Sequence, residues 1–492
     1  MRSEDIKPET PEQEAIIVNR ELTIWEALLP VFILVCMLAY NIFIFEDAAL
    51  SGSNQFILLL GAAVAAIVGF KNKVSYKQML EEVGHNIKST SGAILILLMV
   101  GALAGTWMLS GIIPSMIYYG LQLLSPTIFL AASLVICSII SLATGSSWST
   151  SATVGIALIG IGQTMGINPG MTAGAVISGA YFGDKISPLS DTTNLASAMA
   201  GAALFDHVRY MLYTTIPSVS IALLVFLFLG FNADHTGNID ISDKLAAINS
   251  TFNISPLLFL VPAVVIFMII RKTEPLVALM IGALLGGVAA LIFQPHLVVK
   301  VAGGTGLDFN TGYKGVMTAL TTKISIETPN ADLNELFSAK GMEGMMSTIW
   351  LILCAMVFGG VMDAIGALAR ISSSLLNMFH TVFGLFASTV LSCLAINVTA
   401  SDQYLALVIP GKMYNKAFRD RGLHPVNLSR TLEDTGTVTS VLVPWNTCGA
   451  YNAGVLGVPT ADYFVYAVFN WISPFTTLTF AALRIKIKEL AK

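Results

Sequence analysis

Apolar residues in this chain come in long blocks, separated by short polar links. The blocks fall near 25–45, 54–70, 91–109, 126–143, 146–163, 170–182, 208–230, 255–270, 275–293, 347–366, 381–398, 402–411, 435–444 and 463–483. Most are long enough to cross a bilayer as helices, and the length leaves room for about a dozen spans. The blocks at 170–182, 402–411 and 435–444 are too short for that and predict half-helices or re-entrant pieces. One polar interruption stands out at 183–194, GDKISPLSDTTN, between two apolar blocks. A charge at the centre of a bilayer costs about 2.5–3.5 kcal/mol even on the lenient insertion scale. Irregular backbone there is tolerated only where protein or a watery cavity covers it. Asp184, Lys185 and Asp191 therefore mark a segment that handles an ion or a polar solute.

Composition agrees with the blocks. The 492 residues are 55% hydrophobic and 11% charged, against about 25% charged in a soluble domain. The predicted fold class is an all-α polytopic membrane protein, so the bilayer is its first partner. The net charge of −4 says nothing about nucleic acid, and the sequence shows no basic stripe that would bind it. Cys36, Cys137, Cys354, Cys393 and Cys448 are scattered, with no CxxC and no Cys/His spacing, which speaks against disulfides and zinc. Glu4, Asp5, Glu9, Glu12, Glu14 and Glu21 precede the first block, unlike the basic start of a signal peptide. The sequence contains no Walker A lysine motif, no HExxH and no GxSxG. The expectation is a transporter driven by an ion gradient, with no enzyme activity and no cofactor.

Basic loops set the expected orientation. Lys71, Lys73, Lys77 and Lys88, Arg271-Lys272, the segment 416–421, and Arg484, Lys486, Lys488 and Lys492 read as cytoplasmic. The acidic loop 231–254 and the mixed insert 294–345 read as external. The resulting division is a cytoplasmic segment 1–24, a first membrane repeat 25–230, the loop 231–254, a second repeat 255–485 and a cytoplasmic tail 486–492. The two repeats run in opposite senses on this assignment. A gapless shift of 256 residues pairs Cys137 with Cys393, Gly155 with Gly411, Gly166 with Gly422, Pro169 with Pro425 and Pro188 with Pro444. Inverted-topology repeats with broken helices or re-entrant hairpins are a common transporter build, with the site at the repeat interface near the midplane.

Four polar segments converge on that arrangement. The first half supplies Gly145, Ser146, Ser147 and Trp148 as cavity lining. It also supplies Asp184, Ser187, Ser190, Asp191, Thr192, Thr193 and Asn194 as ligands. The second half supplies Asp402, Gln403, Glu433, Asp434, Thr437, Asn446 and Thr447. Sodium takes hard oxygen ligands: carboxylates, hydroxyls, amides and free carbonyls. A carboxylate can hold either sodium or a proton, which is the simplest chemistry for exchange. Other readings stay open. Asp191 and Asp402 also suit helix N-caps, and Ser146, Ser147 and Ser149 also suit close helix packing. Lys185 is read as a structural counter-charge for Asp184 or Asp191. Glu433-Asp434, two adjacent carboxylates between apolar blocks, are the hardest to read as structure alone. Arg370 and Arg430 are expected at a cytoplasmic edge or paired with carboxylates, and no histidine is given a proton-relay role.

The segments 181–196 (YFGDKISPLSDTTNLA), 429–440 (SRTLEDTGTVTS), 444–450 (PWNTCGA) and 143–148 (ATGSSW) closely resemble the NhaC-type sodium/proton antiporter family. The resemblance extends over roughly 25–485. It implies a multi-pass bacterial plasma-membrane antiporter of the ion-transporter group, with sodium and protons as transported ions; the basic loops, read above, put both termini in the cytoplasm. In that group the hairpin tips carry Ser/Asn/Thr sodium motifs. Ser190-Asp191-Thr192-Thr193-Asn194 and Trp445-Asn446-Thr447 stand at those places here, the first with an aspartate inside it. Some relatives of this kind exchange organic acids such as malate and lactate, or amino acids, so a coupled organic-solute antiporter is the alternative expectation. The oligomeric state stays open, a homodimer included, and the insert 294–345 has no assigned task.

Overall fold

The computed structural model describes residues 22–45, 52–232, 241–334, 336–378 and 381–490. Nearly all of the expected segment 1–24, and Asp234 and Asp240 of the loop 231–254, lie outside the described residues. Among the described residues 8 helices are long and apolar enough to cross a membrane. A helix pair, Ser242–Thr251 with Pro256–Ile270, bends by 83° and brings the total to as many as 9. That is fewer than the dozen expected. The difference lies in shorter helices at the centre of the molecule, such as Thr447–Leu456 and Val468–Ala482, whose polar residues face protein. A helix surrounded by other helices does not need an apolar outer face. The peripheral helices do: Phe32 and Phe43 on Ile24–Phe45, and Phe228 and Phe231 on Leu204–Asn232, are exposed.

Two of the three expected half-helices are whole. The block at 170–182 belongs to an 18-residue helix, Pro169–Ile186. Asn168 Oδ1 caps it by accepting from the amides of Gly170 (2.8 Å) and Met171 (3.3 Å), and Pro169 suits its first turn. Asp184 and Lys185 therefore end a helix, and the polar dodecamer is a loop only from Ser187 to Ser190. Gly183 lets this helix lie against Pro126–Thr144, since a Cβ there would meet Leu142 N and Ser138 O at 2.5 Å. The block at 402–411 belongs to Gln403–Asp420, also 18 residues. The third block is a true break. Helix Val426–Leu432 passes into a π-turn at Glu433–Thr437, a 3₁₀ turn at Ser440–Leu442, and an irregular link to Asn446.

Element boundaries recur at the offset of 256 residues. Pro126–Thr144 matches Val382–Thr399, the helix start at Ser147 matches Gln403, and the start at Asp191 matches Thr447. The left-handed positions repeat as well: Gly145 (φ 70°) with Ser401 (φ 61°), and Gly201 (φ 71°) with Gly457 (φ 68°). Ser401 is a serine where glycine would be unstrained. It sits next to Asp402, and its carbonyl accepts from Thr447 N at 2.9 Å. Helix starts and left-handed positions thus recur in both halves at this offset.

The insert 294–345 is ordered where it is described. It holds helices Pro295–Ala302 and Phe309–Thr321 and an antiparallel pair, Ile324–Ser325 with Ser338–Ala339. Gly105 and Gly101 of the long helix Tyr76–Leu109 admit its backbone at Ala319 and Gly341.

The described part of the expected tail, 486–490, packs as a strap. Leu423 bridges Glu489, His424 N donates to Lys488 O at 2.9 Å, and Leu490 N donates to Gly422 O at 2.7 Å. Asn427 Nδ2 also donates to Lys488 O (2.7 Å). His424 Nδ1 accepts from Val426 N at 3.3 Å, which requires that nitrogen unprotonated. Burial and the nearby Lys488 charge hold the His424 pKa below its ordinary value, against an opposing pull from Asp206. A lowered folded-state pKa adds stability at neutral pH that is lost as pH falls through it. The His424 amide should therefore lose hydrogen-exchange protection on acidification below the usual histidine range, after correction for intrinsic exchange. Protection independent of pH would sink this reading.

Candidate functional site

Residues from both halves of the chain line a cavity of about 780 Å³. Its wall includes Gly145, Ser146, Ser147 and Trp148, then Asp184, Ser190, Asp191, Thr192 and Asn194, and from the second half Asp402, Gln403 and Thr447. Lys272, Glu274 and Phe205 stand at its edge, beside the link between the helices ending at Ile270 and starting at Pro275. Its charged lining is four carboxylates, Asp184, Asp191, Glu274 and Asp402, against one ammonium, Lys272.

Local folding explains most placements. Ser147 Oγ donates to Asp184 Oδ2 at 2.7 Å, joining a new helix start to the end of Pro169–Ile186. Asp402 is an N-cap, its Oδ1 accepting from Tyr404 N (2.8 Å) and Leu405 N (3.0 Å), while still facing the cavity. Asp191 is not the cap of its helix. Ser190 holds that position, without a side-chain capping bond, and Asp191 begins the helix with an exposed carboxylate. A negative charge in a first turn suits the helix dipole. Trp148 stacks on Tyr451 with ring centroids 4.1 Å apart, and the Tyr451 hydroxyl donates to Trp148 O at 3.0 Å.

Several expected ligands are turned inward on the backbone. Ser187 Oγ donates to Leu142 O (3.0 Å) and Thr193 Oγ1 to Lys185 O (2.9 Å). Asn194 Nδ2 donates to Ser190 O (2.7 Å) and Pro188 O (3.1 Å). Asn446 caps Thr447–Leu456 through Cys448 N (3.0 Å), and its amide nitrogen donates to Asn397 O (3.1 Å).

Lys185 does not pair with Asp184 or Asp191. Neighbours on a helix point about 100° apart. Asp184 therefore faces the cavity while Lys185 enters the interface of helices Leu204–Asn232 and Val468–Ala482 with the π-turn Glu433–Thr437. There it forms an ion pair with Asp434, both side chains fully buried. Ser473 Oγ lies 3.0 Å from Lys185 Nζ. Asp434 also accepts from Thr214 Oγ1 (3.2 Å) and Thr477 Oγ1 (2.5 Å). These hydrogen bonds offset the desolvation of the two charges. Thr214, Ser473 and Thr477 were hidden inside apolar blocks. The signal that could have found them is hydroxyls at helical spacing, Ser473 with Thr477 and Thr214 with Ser218.

Glu433 is the opposite case. It is fully buried, and neither carboxylate oxygen meets full hydrogen-bond geometry among the described residues, although the Thr437 and Thr192 side chains are close enough to act on it. Thr437 Oγ1 and Thr435 Oγ1, in the same π-turn, likewise fall short of that geometry. A π-turn frees backbone groups and recurs at functional sites. Here Asn397 Nδ2 takes up Gly436 O at 2.8 Å. Among the described residues no three His, Cys, Asp or Glu side chains are grouped to hold a resident metal.

The family model described as Na+/H+ antiporter family matches residues 179–485. A Haemophilus influenzae protein described as a Na(+)/H(+) antiporter is 35% identical over 479 residues, 96% of this chain and 99% of its own. The Na(+)/H(+) antiporter NhaC of Alkalihalophilus pseudofirmus is 36% identical over 430 residues, 87% of this chain and 90% of its own. The malate-2H(+)/Na(+)-lactate antiporter of Bacillus subtilis is 37% identical over 424 residues, 85% and 86% of the two chains.

Proposed function

Because this chain belongs to the Na+/H+ antiporter family, we propose that it exchanges sodium for protons by alternating access in a bacterial plasma membrane. One observation carries the residue-level reading. Two acidic neighbours, Asp184 on the first half and Glu433 on the second, flank a buried Lys185–Asp434 pair that joins the halves. Sodium enters the acidic cavity and sheds water onto Asp184 and the hydroxyls of Ser146, Ser147 and Thr192. A carboxylate filled by sodium cannot also hold a proton, and this exclusion couples the two fluxes. Lys185–Asp434 transmits occupancy between the halves, because any relative movement must carry the pair or break it.

The cavity edge at Lys272 and Phe205 shares one end of the molecule with basic loops. The positive-inside rule supports a cytoplasmic placement of that end and so an inward-facing cavity. A volume of about 780 Å³ exceeds what sodium needs, and an organic solute could enter. The four-to-one excess of carboxylates over lysine favours a cation and disfavours a dicarboxylate such as malate. Everted vesicles should show sodium-dependent collapse of a proton gradient with no organic solute present. A response that needs malate, lactate or an amino acid, with none to sodium or lithium alone, would overturn the sodium/proton reading.

A further inference from the structure

Arg430 is a fully buried arginine without a carboxylate. The expected ion pair is absent: Arg430 is 0% exposed and makes no salt bridge among the described residues. Its guanidinium lies 4.6 Å from the Tyr210 ring centroid and 6.0 Å from that of Phe480. Nη1 donates to Lys486 O at 3.4 Å, and Nε and Nη2 have no partner. Asp434 follows four residues later, about 6 Å along the helix axis. Its oxygens are already taken by Lys185, Thr214 and Thr477. An uncompensated positive charge thus stands between the buried ion pair and the C-terminal strap.

The strap holds that charge in place. Arg484 (φ 53°) and Lys486 (φ 48°) adopt left-handed backbone, which turns the Lys486 carbonyl toward Arg430 and Tyr210. The Tyr210 hydroxyl reaches this carbonyl and Asn427 Oδ1 (2.6 Å), and accepts from Lys488 N at 3.2 Å. A desolvated guanidinium without an anion is costly, and an apolar side chain would fill the same space more cheaply. A fixed guanidinium repels cations, and this one packs between the Tyr210 and Phe480 rings one helical turn from Asp434.

We propose that Arg430, clamped by Tyr210 and the strap, is the electrostatic seal that keeps cations from reaching Lys185–Asp434 from the strap end. This rests on the reading of that pair as part of the exchange site. Alternating access carries the cavity mouth to the opposite face of the membrane. An open path at the strap end would then connect both faces at once and dissipate the gradient.

The test imposes a proton gradient on proteoliposomes in the absence of sodium. The wild-type protein should hold it. Arg430→Met, which keeps bulk and removes charge, should collapse it at least about tenfold faster. Arg430→Lys should restore tightness, which a purely space-filling role would not require. Tyr210→Phe, which keeps the ring and loses the strap contacts, should leak as well. Tight vesicles with Arg430→Met, or equal leaks with Met and Lys, overturn the proposal. If Arg430→Met does not fold, Tyr210→Phe and truncation after Leu483 decide by the same readout, and tightness in both overturns it. A wild type that ignores sodium would instead count against the exchange reading, and the leak comparison is scored separately.

Discussion

Asp434→Asn should abolish exchange and destabilise the protein together. The substitution keeps shape but removes the carboxylate that is ion-paired with Lys185 Nζ, leaving an ammonium at 0% exposure with Ser473 as its remaining hydrogen-bonded side-chain partner among the described residues. Breaking one side of a buried pair costs about 3–5 kcal/mol, more than the intact pair is worth against an apolar replacement. The double variant Lys185→Met/Asp434→Leu removes both charges and should recover most of that loss without recovering transport. Thermal unfolding in detergent reads the first effect, and sodium-driven proton movement in vesicles reads the second. Membrane insertion should persist in both, since the peripheral helices carry the apolar surface. Wild-type exchange in Asp434→Asn would remove Asp434 from the site. An unchanged unfolding temperature would mean that Lys185 finds another anion.

Much of this site can be read from residue order, and the part that cannot has a physical cause. Charges inside apolar blocks are conspicuous because lipid penalises them, so Asp184, Lys185, Glu433 and Asp434 are visible without a structure. The offset of 256 residues is also visible, in pairs such as Gly166 with Gly422, whose shared left-handed backbone gives that pairing its meaning. Which charge meets which is not visible. Asp184 and Lys185 are adjacent in sequence, but helical rotation sends one to the cavity and the other to a sealed interface. Thr214 and Thr477 escape notice because a lone hydroxyl in an apolar block is indistinguishable from one bonded to its own helix. The helices at 169–186 and 403–420 were underestimated because apolarity marks lipid contact, and their ends are polar where protein covers them. Tail and strap read alike in sequence, since the strap is tied largely by backbone groups.

Glu433→Met should separate stability from function in the direction opposite to Asp434→Asn. Methionine is unbranched, similar in length and adaptable to a closed site, and it removes two buried oxygens that do not meet full hydrogen-bond geometry among the described residues. Relieving an unsatisfied buried polar group is worth about 1–3 kcal/mol, so the unfolding temperature should rise. Exchange should disappear on the proposed reading, in which an incoming cation uses Glu433 with Asp184, Thr437 and Thr192 as its neighbours. Proteins keep such costly groups where activity needs them. Two adjacent carboxylates would then have opposite energetic signs: Asp434 stabilises the fold through Lys185, while Glu433 strains it. A stabilised variant that still exchanges sodium for protons would leave Asp184 as sufficient and make Glu433 a bystander. A destabilised variant would mean that Glu433 has a bonding partner in the wild-type fold.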